Sequence, residues 1–236
     1  MNTHQQVSSS SSTLAPAEPT RPVRARGGII AAGLAVAAAA EAAVLVFHPW
    51  EERDEFGYSQ VAGIRDALWT TLLVDAIAFA LIGLTLSVIV TTLAPSRGAA
   101  WAKAGGVAAT LGGITYAMGA FGFAALTWYA TETSALPVED GTALLEYAVD
   151  HPAHVLGPQM AGFLMFTIGT VLLSVALLRS RTVPRWLPTG LLVLTAATFL
   201  PVPSRVLDGI QVAFMTLLVV LAWRHQTGEP RRRESH

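Results

Sequence analysis

The chain has 236 residues, of which 53% are hydrophobic and 13% charged, with a formal net charge of −1 and no cysteine. A soluble domain carries about a quarter charged residues, so this composition leaves too little polar surface to cover a water-soluble globule. Near-neutral charge argues against a nucleic-acid partner, and the missing cysteines exclude disulfides, thiolate zinc sites, iron–sulfur clusters and cysteine nucleophiles. A bilayer core is crossed by about 20 consecutive apolar residues in a helix. Several blocks here reach that length, and none alternates apolar and polar as barrel strands do. The expected fold is therefore all-α, a polytopic membrane protein whose partner is the lipid bilayer.

Residues 1–26 read as a polar tail, with the serine run 8–12 and a basic flank of Arg21, Arg24 and Arg26. Such a stretch cannot bury enough apolar surface to offset its ordering entropy. Apolar blocks follow at 27–47, 67–93, 104–130 and 155–178. A last region, 186–223, is too long for one crossing, and Pro201-Val202-Pro203-Ser204-Arg205 divides it, because prolines and a charge do not sit mid-helix in lipid. It predicts a short fifth helix ending at Leu200 and a sixth beginning near Val206. Residues 27–223 thus form one domain of six transmembrane helices, and 224–236 a short basic tail. In the outer loop, residues 137–149 predict an amphipathic helix that lies on the membrane surface or over the bundle.

Orientation follows the basic residues. Arg21, Arg24, Arg26, Arg97, Lys103, Arg179, Arg181, Arg185, Arg224, Arg231, Arg232 and Arg233 fall in one set of segments, and only Arg53, Arg65 and Arg205 in the other. The twelve-to-three bias places both termini in the cytoplasm and the protein in the cytoplasmic membrane. Ala40-Glu41-Ala42 after a basic flank also resembles a signal-peptide cleavage site. The apolar run continues to Phe47, so the expected first helix is an uncleaved anchor. Trp50, Trp69, Trp101, Trp128, Trp186 and Trp223 fall near the block ends, as an aromatic belt does. Gly105, Ala109, Gly113 and Ala117, with Gly112, Gly119 and Gly122, predict close helix contact along the third block and a central place for it.

Ionisable residues inside a membrane helix are costly and turn toward a partner or a wet cavity. Glu41, Asp75 and Asp208 qualify, at about 10, 13 and 7 Å below the outer boundary, taking 1.5 Å per helical residue. His48, His151, His154, Gln159, Thr70, Thr71 and Thr127 lie at the same end. Gly157-Pro158 beside Gln159 is expected to loosen the helix ladder. Three readings stand: the acids are structural and hydrogen-bonded; or Glu41, Asp75, Asp208 and Gln159 form an outward-facing pocket for a cation, a proton or a small ligand, or assist a membrane complex; or His48, His151 and His154 hold a metal or haem in a membrane-embedded oxidoreductase. Phosphate-binding, dinucleotide, HExxH and GxSxG motifs are absent from the sequence, so neither cofactor nor protein partner is named.

Arg179-Ser180-Arg181-Thr182-Val183-Pro184-Arg185-Trp186, a basic loop between two apolar helices, and the alanine-rich pattern are the features of a broader group. In them the chain resembles uncharacterised multi-pass membrane proteins abundant in actinobacteria. The resemblance implies a helical membrane fold and brings no activity with it.

Overall fold

The structure, a computed structural model, describes residues 21–49 and 57–228, with side chains at 27–49 and 57–227. The tail at 1–20, the loop at 50–56 with Trp50 and Arg53, and residues 229–236 lie outside the described residues. The described secondary structure is helical: α1 (Arg21–Phe47), α2 (Tyr58–Leu93), α3 (Ala99–Thr131), α4 (Val138–Asp150), α5 (Pro152–Val155), α6 (Gly157–Ser180), α7 (Trp186–Ala197) and α8 (Ser204–Gly228). Prolines punctuate it. Pro49 and Pro95 follow the ends of α1 and α2, and Pro184 precedes α7, as expected where a residue before proline is driven out of helical geometry. Pro158 lies in the first turn of α6. Beside Gly157-Pro158 the helix is interrupted at Leu156, between α5 and α6, and Pro158 has no hydrogen bond of α6 to remove.

Several boundaries differ from the sequence expectation. Helix α1 begins at Arg21 and α8 runs on to Gly228, so residues 21–26 and 224–228 are helix rather than tail. Helix α2 begins at Tyr58, nine residues before the apolar block. That extra length is fastened outside the block: Val61 and Leu68 pack with Ala124, Ala130 and Leu145, which ties α2 to α3 and α4. The amphipathic helix expected at 137–149 is present as α4. It packs on the ends of α2 and α3 through Leu145 and through Gly141, where a Cβ would overlap the Ala130 carbonyl.

Among the described residues, five helices are long and apolar enough to cross a membrane: α1 from Gly27, α2, α3, α6 and α8. The sixth expected crossing is shorter. Helix α7 has 12 residues, about 18 Å at 1.5 Å per residue against a hydrocarbon core of about 30 Å. Turns carry the chain from Ala197 through Leu200, and Pro201 to Pro203 are not helical.

The long helices pack as antiparallel neighbours in the order α1, α2, α3, α6, α7, α8, and α8 returns to α1. Helix α2 leans inward far enough to touch α6 and α8 as well, whereas α7 touches only α6 and α8. The central helix is therefore α2 and not α3, which among the long helices touches α2 and α6 alone.

The glycines of α3 recur at intervals of seven on its two packed faces, and Ala109, four after Gly105, joins the face toward α6. Gly105, Gly112 and Gly119 face α6, where added Cβ atoms would meet the backbone at Gly169, Phe166 and Gln159. Gly162 and Gly169 answer them from α6, against Tyr116 and Ala109. Gly106 and Gly113 turn to α2, beside Ser87 and Phe79. A seven-residue interval keeps one face toward an antiparallel neighbour, and small residues let backbones approach where lipid provides no hydrophobic drive. Gly122 has open space beside it and belongs to neither seam.

The bundle has two chemically distinct ends. At one, Arg97, Arg179, Arg181 and Arg185 line a common groove, Arg179 lies over Trp101, and Gln226 of α8 approaches the Gly28 carbonyl of α1. The start of α1 and the end of α8 thus share this basic end. At the other end, Arg65 binds Glu132 at 2.8 Å and lies over Trp128, which with Trp69 and Phe121 makes an aromatic stack. Glu139, Asp140, Glu146 and Asp150 of α4 belong to this acidic end. Between Arg185 and Ser204, α7 and the irregular stretch after it carry the chain from the basic end to the acidic one.

Candidate functional site

Toward the basic end the interior is mainly apolar, with Leu34, Ile82, Leu86, Ile89, Leu173, Leu177, Leu187, Leu191, Leu218 and Leu221 almost wholly buried in one cluster and Ser87, Ser174 and His225 as buried polar side chains. Toward the acidic end the packing opens into a cavity of about 200 Å³ to which all six long or apolar helices contribute. Its size exceeds what one water needs by an order of magnitude.

Two carboxyl groups stand in its wall. Glu41 of α1 and Asp75 of α2 are both buried, at 5% and 6% exposure, and their carboxyls stand beside each other. Antiparallel packing brings them level, just as Gly33 meets Thr85 further along the same two helices. Tyr116 of α3 donates to Asp75, with its hydroxyl 3.1 Å from Oδ2 and 3.4 Å from Oδ1. Gln159 of α6 lines the same cavity. The glycine seam makes this approach possible: Gly162 admits the backbone of Tyr116, and Gly119 admits that of Gln159.

Three polar atoms in the wall have no partner. Glu41 Oε2, Thr170 Oγ1 and Thr195 Oγ1 are buried without a hydrogen bond. Other hydroxyls in these helices donate to their own helix, as Thr85 does to Leu81, Thr127 to Phe123 and Thr131 to Thr127. Buried polar groups are nearly always satisfied, so unspent oxygens from α1, α6 and α7 in one cavity mark a place made for a polar guest. The rest of the wall is largely aromatic. Phe79 stacks on Tyr116 at 4.0 Å and packs against Phe166 at 4.6 Å, with Phe163 and Phe214 completing the lining.

No family model, no curated protein and no solved structure matches this chain. What the cavity does must therefore be argued from its own chemistry.

Of the four ligand-site residues expected from sequence, Glu41, Asp75 and Gln159 line the cavity and Asp208 does not. Asp208 pairs instead with His48 at 3.7 Å, joining the acidic-end termini of α8 and α1. The expected histidine set does not assemble. His48 is at Asp208, whereas His151 stacks on Tyr147, donates from Nδ1 to the Tyr147 carbonyl at 3.0 Å, and neighbours His154. Among the described residues no three His, Cys, Asp or Glu side chains gather as a metal site. A shared depth does not give a shared direction, and that is why these groupings failed. Thr70, Thr71 and Thr127 also stay out of the lining. Tyr116, Thr170, Thr195 and Gln211 were not anticipated. A tyrosine in mid-block was the available signal for Tyr116, but nothing in sequence marks which hydroxyls leave their own helix unbonded.

Proposed function

We propose that this integral membrane protein is a binding protein whose cavity takes one monovalent cation with apolar substituents, without performing chemistry on it. The carrying observation is the Glu41–Asp75 pair, buried with one oxygen unpartnered in a cavity ringed by aromatic side chains. Two acids and no basic side chain line the cavity, which suits a cationic guest. Aromatic faces attract a desolvated cation by about 2 kcal/mol, and the phenyl rings favour alkyl groups over a hydration shell. The discontinuous segment after α7 supports a wet cavity, because irregular backbone at membrane depth is tolerated where it lines one. The apolar cluster beneath favours a one-sided site over a continuous pathway. The positive-inside bias turns the cavity outward and makes α7 with residues 198–203 a sixth crossing, with both ends of the chain in the cytoplasm. An oxidoreductase built on His48, His151 and His154 has no comparable geometry in its favour.

Tetramethylammonium is the simplest probe. It should raise the melting temperature of the purified protein saturably, and Glu41→Gln and Asp75→Asn should remove that response while leaving a cooperative transition. Equal stabilisation of wild type and both variants, or none of wild type, would overturn the reading.

A further inference from the structure

The cavity has a thin wall. The α6 and α8 backbones stay more than 8 Å apart throughout; α2 touches both from one side and the short α7 from the other. Helix α7 stops at Ala197, Thr195 and Thr198 reach the cavity, and the stretch with Pro201 and Pro203 follows. Two prolines keep that stretch from continuing as helix, and its backbone is held by local turns, from Phe199 to Ala196, Leu200 to Ala197 and Val202 to Leu200.

Phe199 stands in this gap. Its ring lies 6.1 Å from Phe163, a lining residue, while the side chain is 54% exposed on the outer surface of the bundle. Leu200 beside it is 56% exposed. Phe199 thus bridges a lining residue and the surface that faces lipid. The carboxyl pair lies across the lumen, on α1 and α2, and α7 touches neither of those helices. The charged end of the cavity and its thin wall are therefore opposite one another.

We infer that the cavity opens sideways to lipid at the gap between α6 and α8, and that its ligand is a membrane-dissolved amphiphile with one cationic amine head and a single apolar tail. The head sits at Glu41 and Asp75; the tail passes Phe163 and leaves past Phe199 into the outer half of the bilayer. This rests on the cation-binding reading and adds the route and the shape of the ligand. A cavity of about 200 Å³ has room for a trimethylammonium head, and an opening at Phe199 lets a longer tail leave it.

The test uses the full chain in lipid nanodiscs with tetramethylammonium and with hexyl- and dodecyltrimethylammonium, the last also carrying bromine at its tail end. Phe199→Trp replaces one exposed aromatic by another and places an indole in the gap. Dodecyltrimethylammonium should protect against heat as well as or better than the hexyl compound. The brominated tail should quench Phe199→Trp more than the parent protein, and Glu41→Gln added to Phe199→Trp should abolish that extra quenching. If tetramethylammonium and hexyltrimethylammonium protect but the dodecyl compound does not, the cavity binds cations and is closed at Phe199, and the sideways opening is wrong. Extra quenching that survives Glu41→Gln means the bromine reaches the introduced indole from bulk lipid, which also overturns it. Failure of all three probes removes the cation-binding reading itself.

Discussion

Arg65 and Glu132 illustrate how a single charged residue is held at the boundary of the bundle. Arg65 reaches Glu132 at 2.8 Å, the Thr131 carbonyl at 3.2 Å and the face of Trp128 at 4.8 Å. Glu132 accepts from the Ser134 backbone N–H at 3.2 Å and from its hydroxyl at 2.9 Å. Those hydrogen bonds, with the Arg65 guanidinium, hold the Glu132 carboxyl below the usual carboxylate range. A carboxylate whose folded value is depressed stabilises the native state fully above its unfolded value, and that contribution is lost as pH falls through the folded one. The melting temperature of wild type should therefore drop below about pH 4.5 more steeply than that of Glu132→Gln, with the two nearly parallel at neutral pH. The difference should be small, since a boundary ion pair is screened by water. Parallel curves across the acid range would show that the arrangement stores nothing.

Among elements, the α3–α6 seam has the tightest tolerance. A methyl group on Gly162 would overlap the Tyr116 backbone, so Gly162→Ala must push the helices apart. Overpacking of this kind costs about 1–3 kcal/mol, and here it also separates Tyr116 from Gln159. Gly122→Ala, with open space beside it, should leave the melting temperature unchanged or slightly raised, since alanine is the better helix former. Equal effects of the two changes would remove the seam as an organising feature. The long helices were legible in the sequence because a bilayer imposes length and apolarity directly. The seam was only half legible. Small residues were visible, but a row four apart and rows seven apart coexist in Gly105, Ala109, Gly112 and Gly113, and only the neighbouring helices select between them. Helix α7 was visible as a short block because Pro201 and Pro203 interrupt it. Its consequence for the cavity wall was not, since that depends on which helices flank it.

For the molecule as a whole, orientation remains the most direct expectation from charge. Reporter fusions after Arg97, Arg185 and Arg224 should read as cytoplasmic, and a fusion between Glu139 and Glu146 as external. A cytoplasmic signal from the last would invert the cavity and with it the proposed function. The candidate site was legible in part. Glu41 and Asp75 were conspicuous because a carboxylate facing lipid costs a few kcal/mol on the mildest scales. Asp208 was equally conspicuous, yet it answers His48 at the bundle end. Cost alone says that an acid needs a partner and does not say which.

The pairing of Glu41 with Asp75 also bears on how the chain is made. Helices α1 and α2 are consecutive, and each brings one acid that lipid would penalise. As an antiparallel hairpin they set the two acids side by side before the helices that follow are made. The first two segments are thus competent to leave the translocon together as a unit, whereas either one alone would present an unpartnered carboxyl to the membrane. The cavity comes last, because its enclosure waits for α8 to return to α1. The proposed binding site therefore requires α8, and a ribosome stalled before α8 would hold the acid pair with its cavity unbuilt.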